Sequence, residues 1–216
     1  MTMATSPGAA WVAAVVALGG DRSTAQSSAA ELERRYAEPH RRYHTNTHIR
    51  AVLADCSWLA AELALGPRER AVLDLAACAH DVVYDANPGD DERASAEWAT
   101  TALTDAEGDG DDVRRVTELI LATLTHDAGE NDTTAAVLLD ADLAILAADP
   151  AIYDEYVVGV RAEYAAIPDD LWAAGRGHVL RSFVARPRLF ITAPANEKWE
   201  DRARANLRRE LEALTP

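Results

Sequence analysis

The sequence predicts an all-α protein, and three observations carry the prediction. Apolar residues recur at helical spacing through most of the chain. Alanine-rich segments with few β-branched runs favour helix. Strand-like alternation is confined to one ambiguous stretch, Leu189-Phe190-Ile191-Thr192. About eight or nine helices of ordinary globular length would fill the 216 residues.

Ser6-Pro7 opens a first helix carrying Trp11, Val12, Val15, Val16 and Leu18, because proline at the first helical position lacks only an N–H that would be unpaired there. Gly19-Gly20 ends it. Ser23 or Thr24 caps a second helix through Tyr36, and Pro39 stops that one by restricting Glu38. A third helix runs from Thr45 or Asn46 to about Leu65, with Ile49, Val52, Cys56, Leu59 and Leu63 on one stripe and His48 beside it. Gly66-Pro67 separates it from a fourth, where Val72, Leu75, Ala76, Ala79 and Val83 repeat at helical spacing. After a loop at 85–90, Asp90 or Asp91 caps a helix through Leu103. The stripe Val113, Val116, Leu119, Ile120 and Leu124 ends at Thr125-His126. Thr133 or Thr134 starts a helix through Leu146, and Asp149-Pro150 opens one with Tyr153, Tyr156, Val160 and Tyr164. Two last helices, roughly 169 to 185 and 196 to 213, are joined by an extended segment from Pro187 to Pro194.

No internal repeat or polar linker divides the chain, so residues 1–216 read as one helical domain. Its core lies at about 35–165, with the helices at 169–213 packing on it. The 36 acidic against 21 basic residues give a net charge of −15, a field that repels nucleic acid polymers and anionic lipid. The apolar run Ala9 to Gly20 is short and no Lys or Arg precedes it, which argues against a signal peptide or a spanning helix. Cys56 and Cys78 sit in apolar helical patterns and read as small buried residues, in keeping with a reducing compartment. The expectation is a soluble, cytoplasmic protein with no membrane partner; its oligomeric state is left open.

Six polar residues interrupt the apolar stripes: His48, His80, Asp81, His126, Asp140 and Asp142, from four predicted helices. The run Val72 to Ala79 belongs in a core, where an unpaired carboxylate is costly, so Asp81 needs a compensating partner. Taken alone, His80-Asp81 reads as a capped helix end. With the other residues converging in a bundle, the set offers mixed imidazole and carboxylate ligands. That mixture suits a divalent transition metal such as Mn, Fe, Co, Ni or Zn, with Mg possible, and leaves positions for water or substrate. His40, His44 and His48 are spaced by four, but Pro39 and the cap signals at Thr45-Asn46-Thr47 argue against one continuous helix, and His40 reads as surface.

His48, His80-Asp81 and a late aspartate in Leu139-Asp140-Ala141-Asp142-Leu143 resemble the H…HD…D signature of the HD superfamily of metal-dependent phosphohydrolases. Four longer stretches resemble a predicted bacterial HD phosphohydrolase branch: Tyr43 to Ile49, Ala79 to Asp85, Asp91 to Ala96, and Leu139 to Leu146. Arg161-Ala162-Glu163-Tyr164, Gly175-Arg176 and Glu200 to Leu207 resemble its C-terminal half, so the likeness spans about 35–210. The resemblance implies an HD-domain helical bundle with a metal site in its core, held by His48, His80 and Asp81. Asp142 is the preferred fourth ligand, because it follows Ala141 as the final ligand often follows Ala in the superfamily; Asp140 is the alternative. Whichever is spared would serve a ligand histidine or cap a neighbouring helix.

The activity implied is a metal-dependent phosphohydrolase acting on a small phosphorylated metabolite or nucleotide. Asp81 would orient or deprotonate the attacking water. Glu92 would accept from that water or from a ligand histidine, or else simply favour its helix N-terminus. His126 would contact phosphate, ligate a second metal or cap its own helix. Arg161 and Arg176 offer guanidinium groups for the substrate phosphate, or form helix ion pairs. Two alternatives stand beside this reading. One is an HD-type di-iron oxygenase, which needs His126 and a further ligand around two metals; the other is a non-catalytic nucleotide-binding module.

Overall fold

Capping and helix-stop chemistry cuts the chain into ten helices among the described residues, 6–214, of the structure, a computed structural model. They are α1 (Pro7–Ala17), α2 (Arg22–Arg35), α3 (Asn46–Glu62), α4 (Pro67–Ala79), α5 (Asp90–Asp105), α6 (Gly110–Ala122), α7 (Thr133–Asp142), α8 (Pro150–Glu163), α9 (Asp169–Ala185) and α10 (Ala193–Leu214). A 3-10 turn, Leu143–Ala147, follows α7 directly. No strand occurs among the described residues, so the fold is all-α, with ten helices where eight or nine were expected.

Several helix starts differ from the sequence expectation, and carboxylates explain most of them. Asp21 rather than Ser23 or Thr24 caps α2, accepting from the Thr24 N–H and hydroxyl at 2.8 Å each. Asp132 rather than Thr133 or Thr134 caps α7, accepting from Ala135 N at 3.0 Å. An ionised carboxylate is a stronger acceptor than a hydroxyl, so the acidic residue upstream takes the cap. At α5 the cap position falls to Gly89 instead of Asp90 or Asp91, with φ at +92°, a conformation glycine adopts without steric cost.

The segment at 189–192 is not a strand: carboxylates stand where sheet partners would. Glu200 accepts from the N–H groups of Leu189 and Phe190, and Asp140 accepts from those of Ile191 and Thr192. Satisfying these donors lets α10 start at Ala193, three residues earlier than the expected 196. Similarly, α7 does not run on to Leu146; the chain tightens after Asp142, and the 3-10 turn buries Leu143, Leu146 and Ala147.

α4 is apolar on nearly every side, from Val72 to Ala79, because α1, α3, α6 and α7 all pack around it. Trp11, Leu32, Ile49, Leu59, Leu75, Leu138, Tyr153, Phe190 and Leu207 are essentially inaccessible and belong to one continuous core. Each such side chain contributes about 1.5–3 kcal/mol by leaving water. Cys56 and Cys78 are buried free thiols in that core. α10 lies across α3, α9 and the 3-10 turn. No described helix is long and apolar enough to cross a membrane.

Candidate metal centre

Three helix ends meet beneath the core. Thr45 caps α3, accepting from Thr47 N, and so sets His48 in the first turn. α4 stops at Ala79, which leaves His80 as its C-cap and Asp81 in the turn beyond. Asp142 is the last residue of α7. The convergence is therefore of helix ends rather than of four helix faces, and His126 too lies in a turn, beyond α6.

His48 Nε2 lies 3.4 Å from His80 Nε2, 3.4 Å from Asp81 Oδ2 and 3.3 Å from Asp142 Oδ1. His80 Nε2 lies 3.1 Å from Asp81 Oδ2 and 3.4 Å from Asp142 Oδ1. One donor atom from each of the four lies within 4.8 Å of all the others, so the group can hold a metal ion. The donor chemistry fits: His80 Nδ1 sits 3.0 Å from the Ala77 carbonyl, which can only accept. Nδ1 therefore carries the hydrogen, and in the neutral ring Nε2 presents its lone pair to the centre.

The electrostatics also fit a cation. Burial works against charge on both rings, yet the carboxylates of Asp142 and Asp81 outweigh it and raise His48 above the usual histidine value. His80 is held well above that value, burial again being overcome by Asp81 and Asp142. In turn, burial pushes Asp81 and Asp142 upward, but the facing histidines hold both well below the usual carboxylate range. Protons and a divalent ion compete for the same lone pairs in such a cluster.

The other residues singled out from the sequence take varied places. Asp140 is committed elsewhere: its two oxygens accept from Ile191 N at 2.7 Å and Thr192 N at 2.8 Å. His126 Nε2 stands 3.1 Å from Asp142 Oδ2, at the edge of the cluster. Its backbone is left-handed, φ +49°, a conformation that costs a non-glycine residue about 1–2 kcal/mol. Arg186 secures it by donating to the Thr125 and His126 carbonyls at 3.1 Å each. Glu92 accepts from Gly89 N at 2.6 Å, and not from a ligand histidine. Arg161 donates to the Tyr164 and Ile167 carbonyls and to Asp169. Arg176 grips Glu210 through Nε at 2.7 Å and Nη2 at 3.1 Å, and Nη2 also donates to the Tyr156 hydroxyl. Neither guanidinium is without a partner.

Two residues to which the sequence assigned no role at the site hold it in place. Glu163 Oε1 accepts from the backbone N–H groups of Arg42, Tyr43 and His44 at 2.6, 2.8 and 3.0 Å. Its Oε2 meets His44 Nδ1 at 2.7 Å and the Tyr84 hydroxyl at 3.1 Å. Arg41, fully buried, donates to the Asp81 carbonyl at 2.7 Å and the Val82 carbonyl at 2.9 Å, pairing acceptors left open where α4 ends. Glu163 falls in a stretch that carried the family resemblance, so that likeness was the available signal for it. For Arg41 the apolar periodicity held none, because it stands in a turn.

A cavity of about 610 Å³ adjoins the cluster, with Asp81, Asp142, His44 and His126 on its wall. A second hollow of about 480 Å³ reaches His48 and Asp142 and shares Tyr43 and Tyr156 with the first. Comparison with protein-family models, with curated proteins and with solved structures finds no match for this chain. The class defined by fold and site is thus an all-α protein with a His/Asp group, its histidines buried and its aspartates partly so, able to hold a metal ion.

Proposed function

We propose that the protein is a metal-dependent phosphohydrolase of the HD type, acting on a small phosphate ester. The observation that carries this reading is the convergence of His48, His80, Asp81 and Asp142 beside a cavity large enough for a small molecule. The sequence resemblance to the HD signature supplies the reaction class. A divalent ion in such a group supplies a Lewis acid for a phosphoryl oxygen and lowers the pKa of a bound water.

The chain's own residues carry the remaining work. Asp81 faces the cavity as well as the cluster, which supports a role for its carboxylate in orienting or deprotonating the water. His126, held against Asp142, is the imidazole on the cavity wall best placed to meet a phosphoryl oxygen. His44, fixed by Glu163, presents a second ring on the same wall.

Elemental analysis of protein purified without a histidine tag should return one Mn, Fe, Co, Ni, Zn or Mg per chain. His80→Ala and Asp142→Ala should each abolish metal content and turnover of phosphate esters while leaving far-UV circular dichroism unchanged. Metal retained at full stoichiometry in either variant would reject the ligand assignment. Two irons per chain with an oxygen-dependent spectral change would replace the hydrolase by a di-iron oxygenase.

A further inference from the structure

The cavity beside the cluster is unlike a nucleotide site in its walls. Its volume of about 610 Å³ falls within the range usual for small-molecule sites. Tyr43, Tyr84, Tyr156, Tyr164, Trp172 and Phe183 contribute aromatic surface to it. At its lip Ile167, Leu171 and Val179 are 40%, 61% and 41% exposed, although water is a poor environment for each. An apolar ligand entering between them would cover that surface.

The charges on the wall are already paired. Among the described residues Arg176 is the one lysine or arginine lining the cavity, and Glu210 neutralises it through two hydrogen bonds. His44 is bonded to Glu163 and His126 to Asp142. The Asp81 and Asp142 carboxylates would cancel the charge of a divalent ion, and Asp91 and Glu92 add further acid. Recognition of a polyphosphate draws on several free cationic donors, which this wall lacks. A hydroxyl-rich sugar body fares no better at the lip, where Ile167, Leu171 and Val179 offer its hydroxyls no partner. A polar ligand group left unpaired there loses affinity.

We infer that the substrate is a phosphomonoester of a predominantly apolar alcohol, aryl or alkyl, rather than a nucleotide or a sugar phosphate; this rests on the hydrolase reading above. The single phosphoryl group meets the cluster, and the apolar body lies against the aromatic wall under the lip of α9. In the reaction, water oxygen bonds to phosphorus and the phosphorus–oxygen bond to the alcohol breaks. The water proton passes to the departing oxygen, leaving the alcohol and inorganic phosphate.

The test uses full-length protein loaded with Mn²⁺ and assayed on 1-naphthyl phosphate, hexyl phosphate, glycerol phosphate, AMP and ATP. Hexyl phosphate leaves as poorly as a ribose ester, so it separates apolar binding from leaving-group reactivity. The expected result is kcat/KM for both apolar esters at least about tenfold above the other three. Leu171→Asp, at an exposed position, should raise KM for 1-naphthyl phosphate about tenfold with metal content and kcat unchanged. Equal or better turnover of AMP, ATP or glycerol phosphate overturns the inference.

A binding arm separates this failure from that of the hydrolase reading. Calorimetry compares 1-naphthylmethylphosphonate with methylphosphonate, neither of which can be hydrolysed at the ester position. Should no ester turn over while the naphthyl compound binds about tenfold tighter and Leu171→Asp erases the difference, the hydrolase reading fails and the apolar ligand class stands. Equal binding of the two overturns the ligand class whatever the turnover.

Discussion

Two carboxylates show how burial sets opposite pH behaviour at single residues. Burial pushes Glu163 upward, but the His44 ring and the backbone donors of Arg42 and Tyr43 outweigh it and hold the carboxyl at about 2, against an ordinary 4.5. Its stabilising effect is therefore present above 4.5 and lost as the pH falls through about 2. Glu163→Gln should be less stable than the parent at pH 7 in urea titrations, with the deficit gone by about pH 2. Asp74 behaves in the reverse sense: burial raises it from 3.8 to about 6 despite the pull of Arg70. Its stabilising effect is complete below 3.8 and is lost as the pH rises through about 6, so Asp74→Asn should gain roughly 1–3 kcal/mol at pH 7.5 and nothing near pH 3.5. The four clustered residues were visible in the sequence because each breaks an apolar stripe. Periodicity marked neither Arg41 nor Glu163, since one stands in a turn and the other ends a helix whose faces are half exposed, where a charged residue is unremarkable; only the resemblance touched Glu163.

Among the elements, helix existence was legible and helix starts were not. Stripes such as Ile49, Val52, Cys56 and Leu59 depend on local spacing alone, and the buried residues of α3 follow them. A cap depends on which of several neighbouring acceptors reaches two or three residues onward, and Asp21 outcompetes Ser23 and Thr24 for α2. Asp21→Ala should then lower the Tm, while Ser23→Ala should leave it nearly unchanged. Thermal melts monitored at 222 nm would check both. α7 shows a second reason for misplaced boundaries: its expected continuation to Leu146 gives way to a 3-10 turn that buries Leu143 and Leu146. Within α7, Asp140→Ala would strip the partners from Ile191 N and Thr192 N and should cost roughly 2–4 kcal/mol, read by denaturant titration, with bound metal retained.

Across the whole molecule, the net charge of −15 opposes compaction through long-range self-repulsion. Raising monovalent salt from about 0.01 M to about 0.2 M shortens the screening length severalfold and should raise the Tm. A Tm that fell steadily over that range would mean that the ion pairs, such as Arg176 with Glu210, outweigh the net repulsion. The fold class could be read early because helical periodicity is local. The cavity could not, because its wall runs from Tyr43 to Phe183 and exists only through the angles at which α8 and α9 pack over the cluster.

The hold of Glu163 on residues 42–44 also orders events during synthesis. It closes a loop of about 120 residues, and Asp142 itself lies far downstream of His48. At the usual 5–20 residues per second, roughly 6–24 seconds separate the emergence of Tyr43 from that of Glu163. From the emergence of Asp81 until that of Asp142, the nascent chain carries His48, His80 and Asp81 without the partner that completes their group. The group able to hold a metal ion is therefore complete only after Asp142 has been made, and a ribosome stalled before it would display a protein whose first helices are made and whose centre is still open.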